Sequence, residues 1–150
     1  MTDAANWIIG LARENTDAIG FIPGPTLESQ YIRQARYIIQ EDEQGRRVGF
    51  LLHGAIHQGQ RLVISQHCIQ YEKRQRDYGR RAFLMLLERA QRCGASSIAL
   101  RCACDLEAIR FWQAMGFRVA RIVPGGERRG RMIAEMVLPL SLPLLGEALG

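Results

Sequence analysis

The residues with the most chemistry to offer lie in one stretch. Cys68-Ile69-Gln70-Tyr71-Glu72-Lys73-Arg74-Gln75-Arg76-Asp77-Tyr78-Gly79-Arg80-Arg81 carries an apolar run that begins at Leu62 into a basic loop, a glycine and a long amphipathic segment. A strand that ends in such a loop and resumes as a helix aims several groups at one spot. They are a row of backbone N–H groups, the positive end of a helix dipole and the guanidinium groups of Arg74, Arg76, Arg80 and Arg81. That spot is suited to phosphate. His67, just before the loop, has the ordinary pKa of about 6.5 that suits a general base. Two readings stand for it: base at the site, or a histidine packed on a strand face. Glu72 is a weaker acid–base candidate expected to face solvent. His53 and His57 sit on a distant hairpin and read as structural or exposed.

The elements that must position these groups follow from periodicity and breakers. Residues 3–14 read as a helix with Trp7, Ile8, Leu11 and Ala12 on one side and Asp3 as its cap. The connector Gly20-Phe21-Ile22-Pro23-Gly24-Pro25 leads to a short helix starting at Thr26. Residues 36–41 and 48–53 form a hairpin about Asp42-Glu43-Gln44-Gly45, and residues 62–69 supply the next strand. The best helix spans 78–93, with Phe83, Leu84, Leu87 and Ala90 as its apolar face and Gly94 at its end. A strand over 97–102, a helix capped by Asp105 and running to Met115, and a last hairpin of residues 117–123 and 132–138 complete the body. The strand–helix–strand unit from 62 to 102 requires a right-handed crossover between parallel strands, so the sheet is mixed. Residues 1–138 read as one domain, and 139–150 as an apolar, proline-bearing tail that packs on the body or a partner.

Composition narrows the class. No apolar run approaches the ~20 residues of a membrane span, and Met1-Thr2-Asp3-Ala4 lacks the features of a signal peptide, so a cytoplasmic protein is expected. Cys68, Cys93, Cys102 and Cys104 follow no disulfide framework, and reduced thiols are expected. Cys102 and Cys104 with His67 and Cys68 lack the knuckle spacing of a zinc site, so no metal is expected. The net charge of +5 invites a nucleic-acid partner. However, the basic residues divide between the phosphate loop and a later turn at Arg128, Arg129 and Arg131, which reads as a solvated hairpin tip. That division argues against a nucleic-acid surface.

In this order, residues 20–138 resemble the GNAT N-acetyltransferases, and two motifs carry the resemblance. The first runs strand, R-x-x-G-x-G/A, helix. Here Ile69 ends the strand, Arg74 takes the arginine position, Tyr78 the apolar one and Gly79 the second glycine. The second runs strand, N-x-x-A-x-x-Φ-Y/W, then G-F, and reads Asp105, Ala108, Phe111, Trp112, Gly116-Phe117. The resemblance implies an α/β (α+β) fold: a mixed, mostly antiparallel sheet flanked by helices, with a splayed parallel strand pair holding the cofactor. It implies acetyl-CoA as that cofactor and a primary amine as acceptor. The amides of Arg74, Gln75, Arg76, Asp77, Tyr78, Gly79 and Arg80 would cradle the pyrophosphate. The backbone of Cys68, Ile69 and Gln70 would pair with the pantetheine arm, and Asp105, Ala108, Phe111 and Trp112 would stand beside it.

The departures from the pattern set the expectations to test. Asp77 replaces a glycine of the phosphate loop and reads as a helix cap turned from the ligand. Asp105 replaces an asparagine. Val63 stands where family members often carry a glutamate base, leaving His67 as the substitute. Trp112 occupies the position of a tyrosine acid, and an indole N–H does not give up its proton at neutral pH. These departures keep a second reading open, an acyl-CoA-binding or interaction domain with weak catalysis. A third, a tRNA- or nucleobase-directed acyltransferase, rests on charge alone. The segments expected to choose the acceptor, 3–35 and 118–138, carry no acidic cluster that would select a polycation. Dimerisation through the sheet or the tail is a further expectation.

Overall fold

The computed structural model describes residues 2–125 and 130–140, so Arg128, Arg129 and most of the expected tail lie outside the described residues. The N-terminal region is helical. Helix α1 (Asp3–Glu14) buries Ala5, Ile8 and Leu11, spaced three apart on one face. Its cap is Thr2, whose hydroxyl oxygen accepts from the Ala5 amide at 3.1 Å, and not Asp3. Asp3 instead lies in the first turn, where a carboxylate suits the dipole, and pairs with Arg47 at 2.8 Å. A short α2 (Thr16–Ile19) ends at Gly20, and α3 (Gly24–Leu27) begins two residues before the expected Thr26 and continues as a π-helical turn over Glu28–Ile32.

The remaining elements are β1 (Tyr37–Glu41), β2 (Arg47–His53), β3 (Arg61–Ile69), α4 (Tyr78–Arg92), β4 (Ser97–Ala103), α5 (Ala108–Ala114), β5 (Arg118–Pro124) and β6 (Met132–Pro139). They form one six-stranded sheet in the order β1-β2-β3-β4-β6-β5. Every neighbouring pair is antiparallel except β3 and β4, which are joined by the α4 crossover. The mixed, mostly antiparallel sheet expected from the sequence is therefore the observed one. Asp105 does not cap α5, which starts at Ala108 after a turn.

The sheet is buried on both faces at its centre. Phe50 and Leu52 of β2 pack with Ile8, Leu11 and Leu27 on the face covered by α1 and α3. Leu51, between them, faces the other way and joins Phe83 and Leu86 of α4 with Trp112 of α5. Alternation along one strand thus serves two cores.

β3 departs from regular pairing on both of its edges. It pairs with β4 only over Arg61–Val63 against Ser97–Ala99, although both strands continue well beyond. Its register against β2 also shifts where Leu52 meets Gln66 and His53 meets Ile64, leaving Ser65 as an extra residue. Such a bulge inverts the alternation after it. Ile64 and His67 consequently face α4 and α5, whereas Gln66 and Cys68 face α1 and α2.

Close packing at the far end of β3 requires Gly49, which pairs with Ile69. A Cβ there would stand 2.7 Å from the Cys68 carbonyl oxygen and collide with the Ile69 side chain. Gly49→Ala should therefore destabilise the fold by about 1–3 kcal/mol, the cost of overpacking, read as a lowered urea midpoint at unchanged m-value.

Candidate functional site

The parting of β3 from β4 opens a cleft of about 740 Å³ through the sheet. Its walls come from the splayed strand ends (Gln66 and His67 on one side, Cys102 on the other), from α5 (Ala108 and Trp112), from Thr16–Gly20 and from the β5–β6 hairpin. Beyond the last β3–β4 pair, the strand edges facing the gap have no ladder partner across it. Backbone donors and acceptors are thereby left for a ligand or solvent.

The loop after β3 leads into α4. Gln70 closes the β2–β3 ladder, its amide donating to Val48 at 2.8 Å, and Tyr71–Lys73 make one 3₁₀ turn. Gln75 and Asp77 then adopt left-handed backbone, with φ of 61° and 74°. That conformation explains why the motif places glycine at residue 77 and why aspartate is an acceptable replacement, since Asp enters the left-handed region more readily than most residues. Asp77 occupies the cap position of α4, but its side chain makes no cap hydrogen bond. It lies 3.6 Å from Arg80 and 3.8 Å from Arg81, and the two guanidinium groups offset its charge. The expectation of a capping Asp77 is corrected accordingly. The first amides of α4 therefore receive no acceptor from the cap side chain.

The Arg74 guanidinium has partners within the protein. Its Nε donates to the Ile69 carbonyl and another guanidinium nitrogen to Asn15, both at 2.9 Å, and the group lies over the Tyr71 ring. It staples the loop to α1. Tyr78 is buried and donates to Glu43 at 2.6 Å, anchoring the start of α4 to the β1–β2 turn and holding the Glu43 carboxyl below its usual range. Arg76 and Arg80 are exposed at the loop. Gly79 lets α4 lie close to the sheet, since a Cβ there would meet His67 and Phe111 at 3.3 Å.

His67 packs against Phe111 and Trp112, with ring centroids 5.5 and 5.2 Å away. Its Nε2 is buried and has no hydrogen-bond partner. Desolvation pushes its pKa down to about 4, so the ring is neutral at pH 7. Trp112 is itself buried, set edge-on to Phe83, Phe111 and Phe117, and forms both core and cleft wall. Cys68 is buried on the opposite face, and burial raises its thiol to about 11, far from a reactive thiolate. Glu72 is exposed, as expected; His53 is buried, with its Nδ1 2.7 Å from the Gly54 carbonyl and its pKa lowered by burial.

Two cleft residues are not singled out by sequence pattern. Arg131, expected in a solvated tip, has a side chain only 18% exposed. Its Nε donates to Asp105 at 2.9 Å and a terminal nitrogen to the Asp17 carbonyl at 2.9 Å, joining α2, the β4–α5 turn and β6 at the cleft mouth. Gln66 is the other, 4% exposed, with its amide nitrogen donating to the Gly20 and Ile19 carbonyls at 3.1 and 3.4 Å. Neither carries a local signal: a single arginine after a glycine turn and a glutamine in an apolar strand are ordinary in sequence. Among the described residues no group of three or more His, Cys, Asp or Glu side chains forms a metal site, and no helix is long and apolar enough to cross a membrane.

A family model described as acetyltransferase (GNAT) family matches residues 3–117. No curated protein matches the chain. Among solved structures, Ard1 from Thermoplasma volcanium superposes with a TM-score of 0.77 at 16% identity, covering 91% of each chain. The ribosomal-protein-S18-alanine N-acetyltransferase from Escherichia coli gives 0.76 at 18% identity, covering 97% of this chain and 93% of its own. N-acetylglutamate synthase from Neisseria gonorrhoeae, solved with coenzyme A and N-acetyl-glutamate, gives 0.74 at 17% identity over 94% of this chain and 34% of that one. At such identities these likenesses are ones of fold.

The desolvated, neutral state of His67 has a consequence for stability. The unfolded chain takes up a proton near pH 6.5 that the folded ring accepts only near 4, so stability is full above 6.5 and falls as pH drops toward 4. His53 acts with the same sign. Urea midpoints should fall between pH 7.5 and 4.5, and His67→Gln should flatten that fall by an amount on the order of 2 kcal/mol. An equal fall in the variant would show that His67 is not a proton-linked buried group.

Proposed function

We propose, on the premise that the chain belongs to the acetyltransferase (GNAT) family, that it moves an acetyl group from acetyl-CoA to a primary amine. The observation that carries this reading is the splay: three parallel pairs hold β3 to β4, and the strands then part beside the uncapped start of α4. Those two features match the two ends of a CoA thioester. The gonococcal neighbour, solved with coenzyme A, supports the fit.

Bound acetyl-CoA would supply an activated acyl thioester. The chain's own part begins at α4, whose first-turn amides, with the loop from Arg74 to Arg80, are placed to take a pyrophosphate. The open edge of β3 near Cys68–Gln70 offers backbone groups for the amides of a pantetheine arm, and a backbone N–H there can polarise the reacting carbonyl. Ala108, Phe111 and Trp112 wall the arm's path along α5. His67, its pKa lowered to about 4 by desolvation, is neutral at pH 7, lines the cleft and can take the proton released by the amine. Trp112 can donate a hydrogen bond but not a proton, so the departing sulfur must be protonated through water or by the proton the amine releases. Positioning supplies much of the acceleration. The low basicity of His67 and the tryptophan at residue 112 also favour a second reading, an acyl-CoA-binding domain with little turnover.

Calorimetry with acetyl-CoA, followed by thiol-release assays over an amine panel, separates the two. Saturable binding and turnover are expected; binding without turnover supports the second reading, and no binding rejects both. Asp77→Gly removes a negative charge beside the loop and frees Arg80, so CoA affinity should rise about two- to fivefold, the 0.2–1 kcal/mol scale of an exposed charge pair. For His67→Gln, the rate should fall about 100-fold at unchanged acetyl-CoA affinity, and the acidic limb of the wild-type profile should lie near pH 4. A variant with the parent's rate and limb would remove His67 from proton transfer.

A further inference from the structure

We propose that Gln66 selects the nucleophile, its Oε1 receiving an N–H of the acceptor and favouring primary amines over acceptors with a single hydrogen to give. The inference rests on the acetyl-transfer reading and goes on to name the group that enforces its substrate class.

Gln66 follows the Ser65 bulge and so points to the α1–α2 side of the sheet, opposite His67. It is 4% exposed and lines the cleft. Its amide nitrogen is committed to the carbonyls of Ile19 and Gly20, which fixes which way the amide faces. Turning it over would set its oxygen against two carbonyl oxygens. Oε1 is thereby locked as an acceptor, and it is buried with no hydrogen-bond partner. Buried polar atoms seldom stay unpaired, because removal from water costs more than an apolar group would. An unpaired acceptor, held rigidly by a residue that lines the cleft, calls for a ligand that brings a donor. The cleft wall mixes apolar residues such as Ile19, Val123, Pro124 and Ile133 with the polar Thr16, Ser65 and Arg131.

The chemistry of transfer defines that donor. The acceptor nitrogen forms a bond to the acetyl carbonyl carbon, the carbon–sulfur bond breaks, one N–H proton leaves the nitrogen, and the CoA sulfur ends as a thiol carrying a proton. A primary amine has a second N–H that survives in the product amide. It can therefore keep its hydrogen bond to Oε1 from approach to product. A secondary amine gives up its only hydrogen during transfer, as does an alcohol, and either would leave Oε1 unpaired again. A site built to hydrogen-bond a substrate group rejects analogues lacking it through this unpaired partner.

The test uses the full chain with Gln66→Met and Gln66→Leu, which keep bulk and remove the acceptor oxygen. Acetyl-CoA affinity is measured by calorimetry, and thiol release is measured with primary alkyl- and arylalkylamines, each beside its N-methyl counterpart. Both variants should bind acetyl-CoA as the parent does, lose about tenfold or more in kcat/KM for primary amines, and lose most of the preference for primary over N-methylated acceptors. The preference ratio is the deciding readout, because loosening of the Gly20 segment alone would slow both acceptors together. Variants with the parent's ratio overturn the proposal. So does loss of acetyl-CoA affinity in both variants, which would assign Gln66 to the framework. Wild-type protein that binds acetyl-CoA yet releases no thiol with any amine overturns the acetyl-transfer reading and this inference with it, and is distinct from both other results.

Discussion

The structure depends on two parallel strands that pair for three residues and are then kept apart. Unpaired strand edges inside a sheet are costly, so each strand must be secured elsewhere. β3 is held along its other edge by β2, and β4 is paired with β6 along its whole length, from Ser97 with Pro139 to Ala103 with Ile133. On the α4 side of the sheet, the rings of Phe83, Trp112 and Phe117 meet edge to face in the core cluster, and Trp112 also lines the cleft.

The arginines act more as fasteners than as a basic surface. A net charge of +5 suggests an exposed positive field. Yet Arg74 binds the loop to α1, Arg81 faces both Asp77 and Glu43, Arg89 reaches the Tyr37 carbonyl and Arg131 joins three segments at the cleft mouth. Glu135 lies between Arg101 and Arg121 and is held below its usual pKa by both. Carboxylate partners offset the charges of Arg81 and Arg131, whereas Arg74 and Arg89, bonded to neutral groups, keep theirs. Their planar forks suit them to bridging a carbonyl and a carboxylate at once, which lysine does poorly.

Much of this architecture was legible in the sequence because it rests on periodicity. The hairpins, the α4 helix and the parallel crossover follow from apolar spacing and glycine positions. Helix caps were less legible, since Thr2 and Asp3 are both good cap residues and only the backbone decides between them. Arg131 was illegible for another reason: its partners Asp17 and Asp105 are brought to it by the fold from distant positions. The sidedness of the site was hidden by the bulge. Strict alternation from Leu62 and Ile64 would put Gln66 and Cys68 on the α4 face and His67 on the other; the extra residue at Ser65 reverses that assignment.

That reversal has a chemical meaning. Without the bulge, His67 would face α1 and α2, and Gln66 would be driven into the aromatic cluster beneath Gly79. With it, two consecutive side chains straddle the sheet at the gap: a neutral imidazole on the side of the phosphate loop and a locked amide oxygen on the side of Thr16–Gly20. An acceptor amine at the gap would then lie between the two groups, although those groups are neighbours in sequence. One inserted residue converts a strand that could serve only one face at a time into a boundary between two half-sites.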